Sequence, residues 1–257
     1  MVFRINSPHN GPGETRVDFV RGTTRDGLPW ADDVRVIGNG ADDRPQVLLD
    51  KLPGWTVSLR EDGCATPDIP GAVPLRHAHF YLWHLPSRPP DPVWAHPRLP
   101  PQVRLVPAVE VDIDQLRSVR QRAYPLGHPD RNEGGSAQLD PLLAGSLYGP
   151  CLSCSTVALL GSRPIGAVLA NADMGPPALP GPGFTDLFRD PACPLRGIGS
   201  LLMRYALATA HRTGLAEDLR LAVTEGNPAR RLYERLGFRH VYSTRTLLLP
   251  GVSRADR

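Results

Sequence analysis

The spacing of apolar positions changes character partway along the chain. Up to about residue 85 they fall in short runs, Arg16–Val20, Asp33–Ile37, Trp55–Leu59 and Leu75–Leu85, each of a length and composition that suits a strand. Few helical patterns separate these runs. From Gln102 the pattern becomes mixed. Gln102–Val106 reads as a strand. Asp112–Tyr124 reads as a helix, with Ile113, Leu116, Val119 and Ala123 at helical spacing and Asp112 as its N-cap. Leu139–Leu147 reads as a second, short helix. Ser153–Leu160 and Ile165–Ala172 are strands joined through Gly161-Ser162-Arg163-Pro164, a hairpin signal. Met174–Gly183 is rich in Pro and Gly and reads as a loop. Phe184–Arg189 is a strand, Gly199–Thr213 a long helix ending at Gly214, and Leu219–Val223 another strand. Asn227–Leu236 is a helix with Asn as N-cap, Pro228 in its first turn and Gly237 just past its end. Val241–Leu249 is a closing strand.

Proline marks the expected boundary. Pro86, Pro89, Pro90, Pro92, Pro97, Pro100 and Pro101 crowd a stretch that suits neither a helix nor a central strand, and it reads as a semi-rigid linker. All four tryptophans lie at or before it. Two domains are expected: residues 1–100, strand-rich, and residues 101–257, an α/β unit built on a mixed sheet. The first carries no recognisable chemical motif. A sheet with one uncovered apolar face must pack on something, so residues 1–100 are expected to dock on the second domain, in cis or across a homodimer.

Composition narrows the classes of function. With 257 residues, 41% hydrophobic and 21% charged, the chain matches an ordinary globular protein that can bury a core. Its net charge of +3 and the lack of any dense Lys/Arg run argue against a nucleic-acid partner. No stretch approaches the length of a membrane span, and the first residues lack an apolar signal core, so a cytoplasmic location is expected. Four cysteines in a chain this long do not make a disulfide framework.

The strongest chemical signal is Leu195-Arg196-Gly197-Ile198-Gly199-Ser200, between a strand and a long helix. Its two glycines allow a sharp turn and a close backbone approach, and the N–H groups at the helix start favour an anion. A steric reason for the glycines has even weight from this segment alone. It is not a Rossmann fingerprint, because Leu202 stands at the third glycine, and no Gly-Lys-Ser/Thr makes it a P-loop. The second signal is Asn227-Pro228-Ala229-Arg230-Arg231-Leu232-Tyr233-Glu234-Arg235-Leu236-Gly237-Phe238. Taken alone it is an amphipathic helix with a buried tyrosine.

In this order and separation, the two segments closely resemble the GNAT superfamily of acyl-CoA-dependent N-acyltransferases, over about Gln102 to Leu249. The resemblance implies a mixed-sheet fold and direct transfer of an acyl group, from acetyl-CoA or another acyl-CoA, to a primary amine, with no metal. It implies that Phe184–Arg189 parts from Leu219–Val223 and holds the pantetheine arm through backbone groups of Leu187, Phe188 and Arg189. Backbone N–H groups of Leu195, Arg196, Gly197, Ile198, Gly199 and Ser200 would hold the pyrophosphate, and Tyr233 would protonate the leaving thiolate. Asn227 would contact the pantetheine arm or cap its helix. The acceptor would be a small-molecule amine or a protein N-terminus.

Three departures from the family pattern matter. Pro194 stands where many members have Arg or Gln, and Arg196 is the candidate to compensate. Asn227 is six residues before Tyr233, where seven is commonest. Ala222 stands where some members carry a Glu base, which leaves Asp186 as first candidate base and Glu225 as second. A non-catalytic acyl-CoA-binding module is the alternative.

Other residues draw notice. Cys151 and Cys154 have redox or zinc spacing but form a single pair. His77 and His79 share one face of the Leu75–Leu85 strand, with His84 on the other. Gly127–Glu133 is a charged loop that in the resembled family covers the acceptor site. An internal echo links Arg76–Pro86 with Arg239–Pro250, which makes the N-terminal part a candidate remnant of a second acyltransferase-like domain.

Overall fold

A computed structural model describes residues 2–5, 16–23, 27–37, 44–61, 68–131, 139–174 and 180–251. Along the chain these form β1 (Val2–Ile5), β2 (Arg16–Thr23), β3 (Pro29–Ile37), α1 (Arg44–Lys51), β4 (Thr56–Glu61), β5 (Val73–His84), β6 (Val103–Pro107), α2 (Ile113–Ala123), α3 (Leu139–Leu143), β7 (Thr156–Leu160), β8 (Arg163–Asn171), β9 (Gly183–Arg189), α4 (Ile198–Arg212), β10 (Asp218–Thr224), α5 (Ala229–Leu236) and β11 (Arg239–Leu248). None of the described helices is long and apolar enough to cross a membrane.

The chain divides into two compact units. One holds Met1–His79 and Tyr242–Arg257; the other holds Phe80–Gly175 and Leu179–Val241. This differs from the boundary expected near residue 100. The proline-rich stretch belongs to the second unit, where Pro92–Ala95 form a short 3-10 turn capped by Asp91, whose side chain accepts from the Val93 N–H at 2.9 Å. Trp94 there meets Trp83 edge-on at 6.3 Å, and the Arg204 guanidinium of α4 lies over its ring. Prolines that exclude helix and strand still pack well as a fixed strap, so their density marked an irregular segment rather than a linker.

In the first unit β1, β2 and β3 form an antiparallel run, β4 lies parallel to β3, and β11 lies antiparallel to β4. Adjacent parallel strands need a crossover, and α1 supplies it. Its core joins Val17, Phe19, Ala31, Val34, Leu48, Val57, Leu59 and Leu249. The second unit repeats this order. Here β7, β8 and β9 are antiparallel, α4 crosses over, and β10 lies parallel to β9. β6 is added beside β7. The last strands are exchanged: β4 takes β11 as its outer neighbour, and β10 takes β5. This repeated order gives the echo between Arg76–Pro86 and Arg239–Pro250 a structural counterpart, since β5 and β11 are corresponding strands.

β8 is buried along Pro164–Asn171 because both its faces are covered, which is why it reads as an unbroken apolar run rather than an alternating one. One face packs on Ile198, Leu202 and Ala206 of α4, together with Tyr81, Trp83, Leu221 and Tyr233. The other packs on Leu116 and Val119 of α2 and on Leu139 and Leu142 of α3. Gly166 makes the α4 packing feasible: a Cβ there would stand 2.8 Å from the Phe188 carbonyl and 3.2 Å from Ile198.

Candidate active site

β9 and β10 pair only at Gly183↔Arg220 and Phe184↔Leu221. Beyond these rungs the two parallel strands part, so Thr185–Arg189 and Ala222–Thr224 bound a wedge. At the far end of β9 the chain turns into α4. Gly197 stands at the N-cap with φ +80°, a left-handed conformation that glycine adopts without strain, and no side chain caps the helix. The N–H groups of Ile198, Gly199 and Ser200 therefore have no partner within the helix, and they form the positive end of its dipole. A Cβ on Gly197 would meet nothing within 4 Å, and one on Gly199 only Leu232 at 3.8 Å, so space remains open over this turn.

Two side chains shape the turn. The Arg189 guanidinium donates to the carbonyls of Cys193 and Leu195 at 3.0 and 3.2 Å, drawing acceptors inward. Asp190 accepts from the Ala192 N–H at 3.0 Å and is paired with Arg122 of α2 at 2.8 Å. The Arg122 guanidinium holds the Asp190 carboxyl below the usual range. Sequence reasoning assigned Arg189 a backbone role alone; its side chain organises the neighbouring turn. Arg196, offered as a substitute phosphate ligand, is exposed.

Tyr233 enters from α5. Its ring is buried against Phe238 at 6.0 Å. Burial first, then the carboxylates of Asp130 and Asp186, push its phenol well above the ordinary tyrosine range, so it is a neutral donor at pH 7. Asp186 does not sit as a free base. Its carboxylate is paired with Arg120 of α2, both side chains being almost fully buried, and it also accepts from the Tyr124 hydroxyl at 2.7 Å. A buried carboxylate needs such partners, because desolvating an uncompensated charge costs several kcal/mol, of order ~3–5 when one partner is removed. The same Tyr124 hydroxyl reaches the Leu187 carbonyl at 3.1 Å. Arg120 and Tyr124 were not foreseen; they were visible only as polar members of the α2 pattern.

The charged loop after α2 reaches the same place. Asp130 accepts from the Thr224 backbone N–H at 3.2 Å, from the Thr224 hydroxyl and from the Asn227 amide. Asn227 in turn accepts from the Ala229 N–H at 2.8 Å and so caps α5. Its side chain is thus engaged at both ends, as cap and as partner of Asp130. Asn132 and Glu133 of the loop lie outside the described residues. Glu225, the second candidate base, is exposed and paired with Arg230 at 3.3 Å.

Residues 113–238 match the model of the acetyltransferase (GNAT) family. The chain carries a GNAT acetyltransferase domain. It spans α2 through α5 and so contains the parted strands, the α4 turn and Tyr233. The whole chain is also similar in fold to solved structures. One is a GCN5-related N-acetyltransferase from Sphaerobacter thermophilus, 14% identical with a TM-score of 0.54 over 93% of this chain and 78% of that one. Another is a GCN5-related N-acetyltransferase from Kribbella flavida, 16% identical, TM-score 0.52, over 99% and 91%. A third is a tandem GNAT protein from the clavulanic acid biosynthesis pathway, 14% identical, TM-score 0.52, over 96% and 81%. None of the curated proteins compared matches the chain.

Cys154 is buried and its thiol is pushed up to about 12 by burial, while the Cys151 thiol donates to Ser155 at 3.3 Å; neither is a poised nucleophile. In the first unit His77 bonds Glu61 at 3.0 Å and His79 bonds Ser243 at 2.8 Å. His84 bonds Asp218 at 2.7 Å in the second.

Proposed function

We propose that the chain is an acyl-CoA-dependent N-acyltransferase that moves an acetyl group from acetyl-CoA to a primary amine by direct attack. The observation that carries the reading is the wedge itself: β9 parts from β10 after two rungs, with the open N-terminus of α4 at one end and a neutral, buried phenol beside it. The open space above Gly197 and Gly199 suits the backbone approach of a pyrophosphate, and the unpaired strand edges suit an extended amide-bearing arm. Leu187, Phe188 and Arg189 would bind that arm, and Leu195 to Ser200 the phosphates. Asn227 would support Tyr233 by capping its helix rather than by touching the arm.

In the reaction the amine nitrogen bonds to the thioester carbon as the carbon–sulfur bond breaks. Tyr233 gives its proton to the departing sulfur. The proton lost by the amine needs a base, and Asp130 replaces Asp186 in that role. Asp186 is tied to Arg120 and Tyr124, while Asp130 lies close enough to the phenol to raise it and accepts from Thr224 and Asn227. The acceptor is a small-molecule amine or a protein N-terminus.

Thiol release from acetyl-CoA with a panel of amines and N-terminal peptides tests this. Amine-dependent release is expected, with Tyr233→Phe lowering turnover about 10²–10⁴-fold while acetyl-CoA affinity changes little. Tight acetyl-CoA binding with no release for any acceptor would instead fit a non-catalytic binding module.

A further inference from the structure

The wedge has a direction. Its phosphate end lies at the α4 turn, beyond Arg189, and its closed end lies at the Phe184↔Leu221 rung. An extended arm entering from the turn runs back along β9, and its reactive end falls beside Leu187 and Asp186. Tyr124 occupies that place. It stands at the C-cap of α2, and its hydroxyl donates to Asp186 at 2.7 Å and lies 3.1 Å from the Leu187 carbonyl. The ring is held on its faces and edges. Arg120 lies over it with Cζ 5.1 Å from the centroid, His128 meets it edge-on at 4.8 Å, and Arg131 bonds its backbone carbonyl at 3.2 Å. Tyr124 packs with the cluster of Leu116, Val119 and Phe188 on the α2 face of the sheet.

We propose that Tyr124 is the wall of the acyl pocket and restricts the donor to acetyl-CoA or a comparably short acyl-CoA. The proposal rests on reading the wedge as an acyl-CoA site. A longer acyl chain would have to push the phenol away from Asp186, whose buried carboxylate would then lose a donor. A pocket wall that cannot move discriminates added methylenes by roughly 10-fold or more.

Calorimetric binding of CoA, acetyl-CoA, propionyl-CoA and butyryl-CoA to the full chain tests this without knowledge of the acceptor. The parent is expected to bind CoA and acetyl-CoA and to lose at least about tenfold in affinity by butyryl-CoA. Tyr124→Ala should bring butyryl-CoA to within a few-fold of acetyl-CoA. Tyr124→Phe, which keeps the ring and drops the hydrogen bond to Asp186, should relax the selectivity partly. A parent that binds butyryl-CoA as well as acetyl-CoA overturns the proposal with no variant needed. So does a folded Tyr124→Ala whose selectivity matches the parent. If neither CoA nor any thioester binds, it is the acyl-CoA reading of the wedge that fails, and this proposal with it.

Discussion

A carboxylate on the strand that would hold the cofactor is a natural first choice for a base, and Asp186 shows what a sequence leaves out. Its neighbours in space, Arg120 and Tyr124, are more than sixty residues away along the chain, and they turn it into a structural anion that ties α2 to β9. Removing the cation alone should be severe. Arg120→Ala is expected to destabilise the fold by about 3–5 kcal/mol, because it strands a buried charge, whereas Arg120→Ala combined with Asp186→Asn should recover part of that loss. Thermal melts of the three proteins check this. Asp190 makes a pH prediction of the same kind. Its folded-state carboxyl lies below the ordinary value, chiefly through Arg122, so it contributes stability that is fully present above the unfolded value of about 3.9 and is lost as pH falls through the lower folded value. Arg122→Gln should therefore lower stability at pH 6 and narrow the difference from the parent as the pH drops below about 4, read by denaturant unfolding across that range.

At the scale of elements, the parts that could be read along the chain are those whose signals are local. Asp112 caps α2 by accepting from the Gln115 N–H at 3.0 Å, Gly237 ends α5 in a left-handed turn, and the spacing of apolar residues placed both helices within a residue or two. The position of Gly197 at the start of α4 was legible for the same reason. α1 was missed because it is eight residues long and buries only Leu48, too little periodicity to register. The partnership of Asp130 with Thr224 and Asn227 spans more than ninety residues and leaves no local trace. Two glycines separate packing from binding. Gly166→Ala forces a Cβ onto backbone at 2.8 Å and should destabilise the fold by about 1–3 kcal/mol in a thermal melt. Gly199→Ala makes only an ordinary contact with Leu232 at 3.8 Å, so its melting temperature should match the parent. Any loss of CoA affinity in that variant, measured by calorimetry, then reports on the ligand alone.

For the whole molecule, the division into units matters more than the proline count. A fragment of residues 101–257 is expected to fail, and the reason lies within the second unit. It would lack Tyr81, Trp83 and Leu85, three side chains almost fully buried in that unit's core, and the strand that borders β10. Expressed alone, it should aggregate or melt far below the full chain. A soluble fragment with the parent's melting temperature would show instead that this strand is dispensable. The exchange that causes this could not be read from the chain. Strand pairing between β4 and β11 carries no signature in either segment, and the similarity of Arg76–Pro86 to Arg239–Pro250 was its only hint.

The same exchange sets a timetable for synthesis. β4 gains its partner through Ser243↔Glu61 to Leu248↔Thr56, rungs that join segments more than 180 residues apart along the chain. The first unit therefore keeps one strand edge uncovered until β11 has been made. Contacts this distant in sequence are slow to form, and an unpaired edge is a site for wrong pairing in the interval. That edge stays open to wrong pairing until β11 arrives, and a stop codon placed before Ser243 should leave the first unit unfinished even though the α4 turn and Tyr233 precede it.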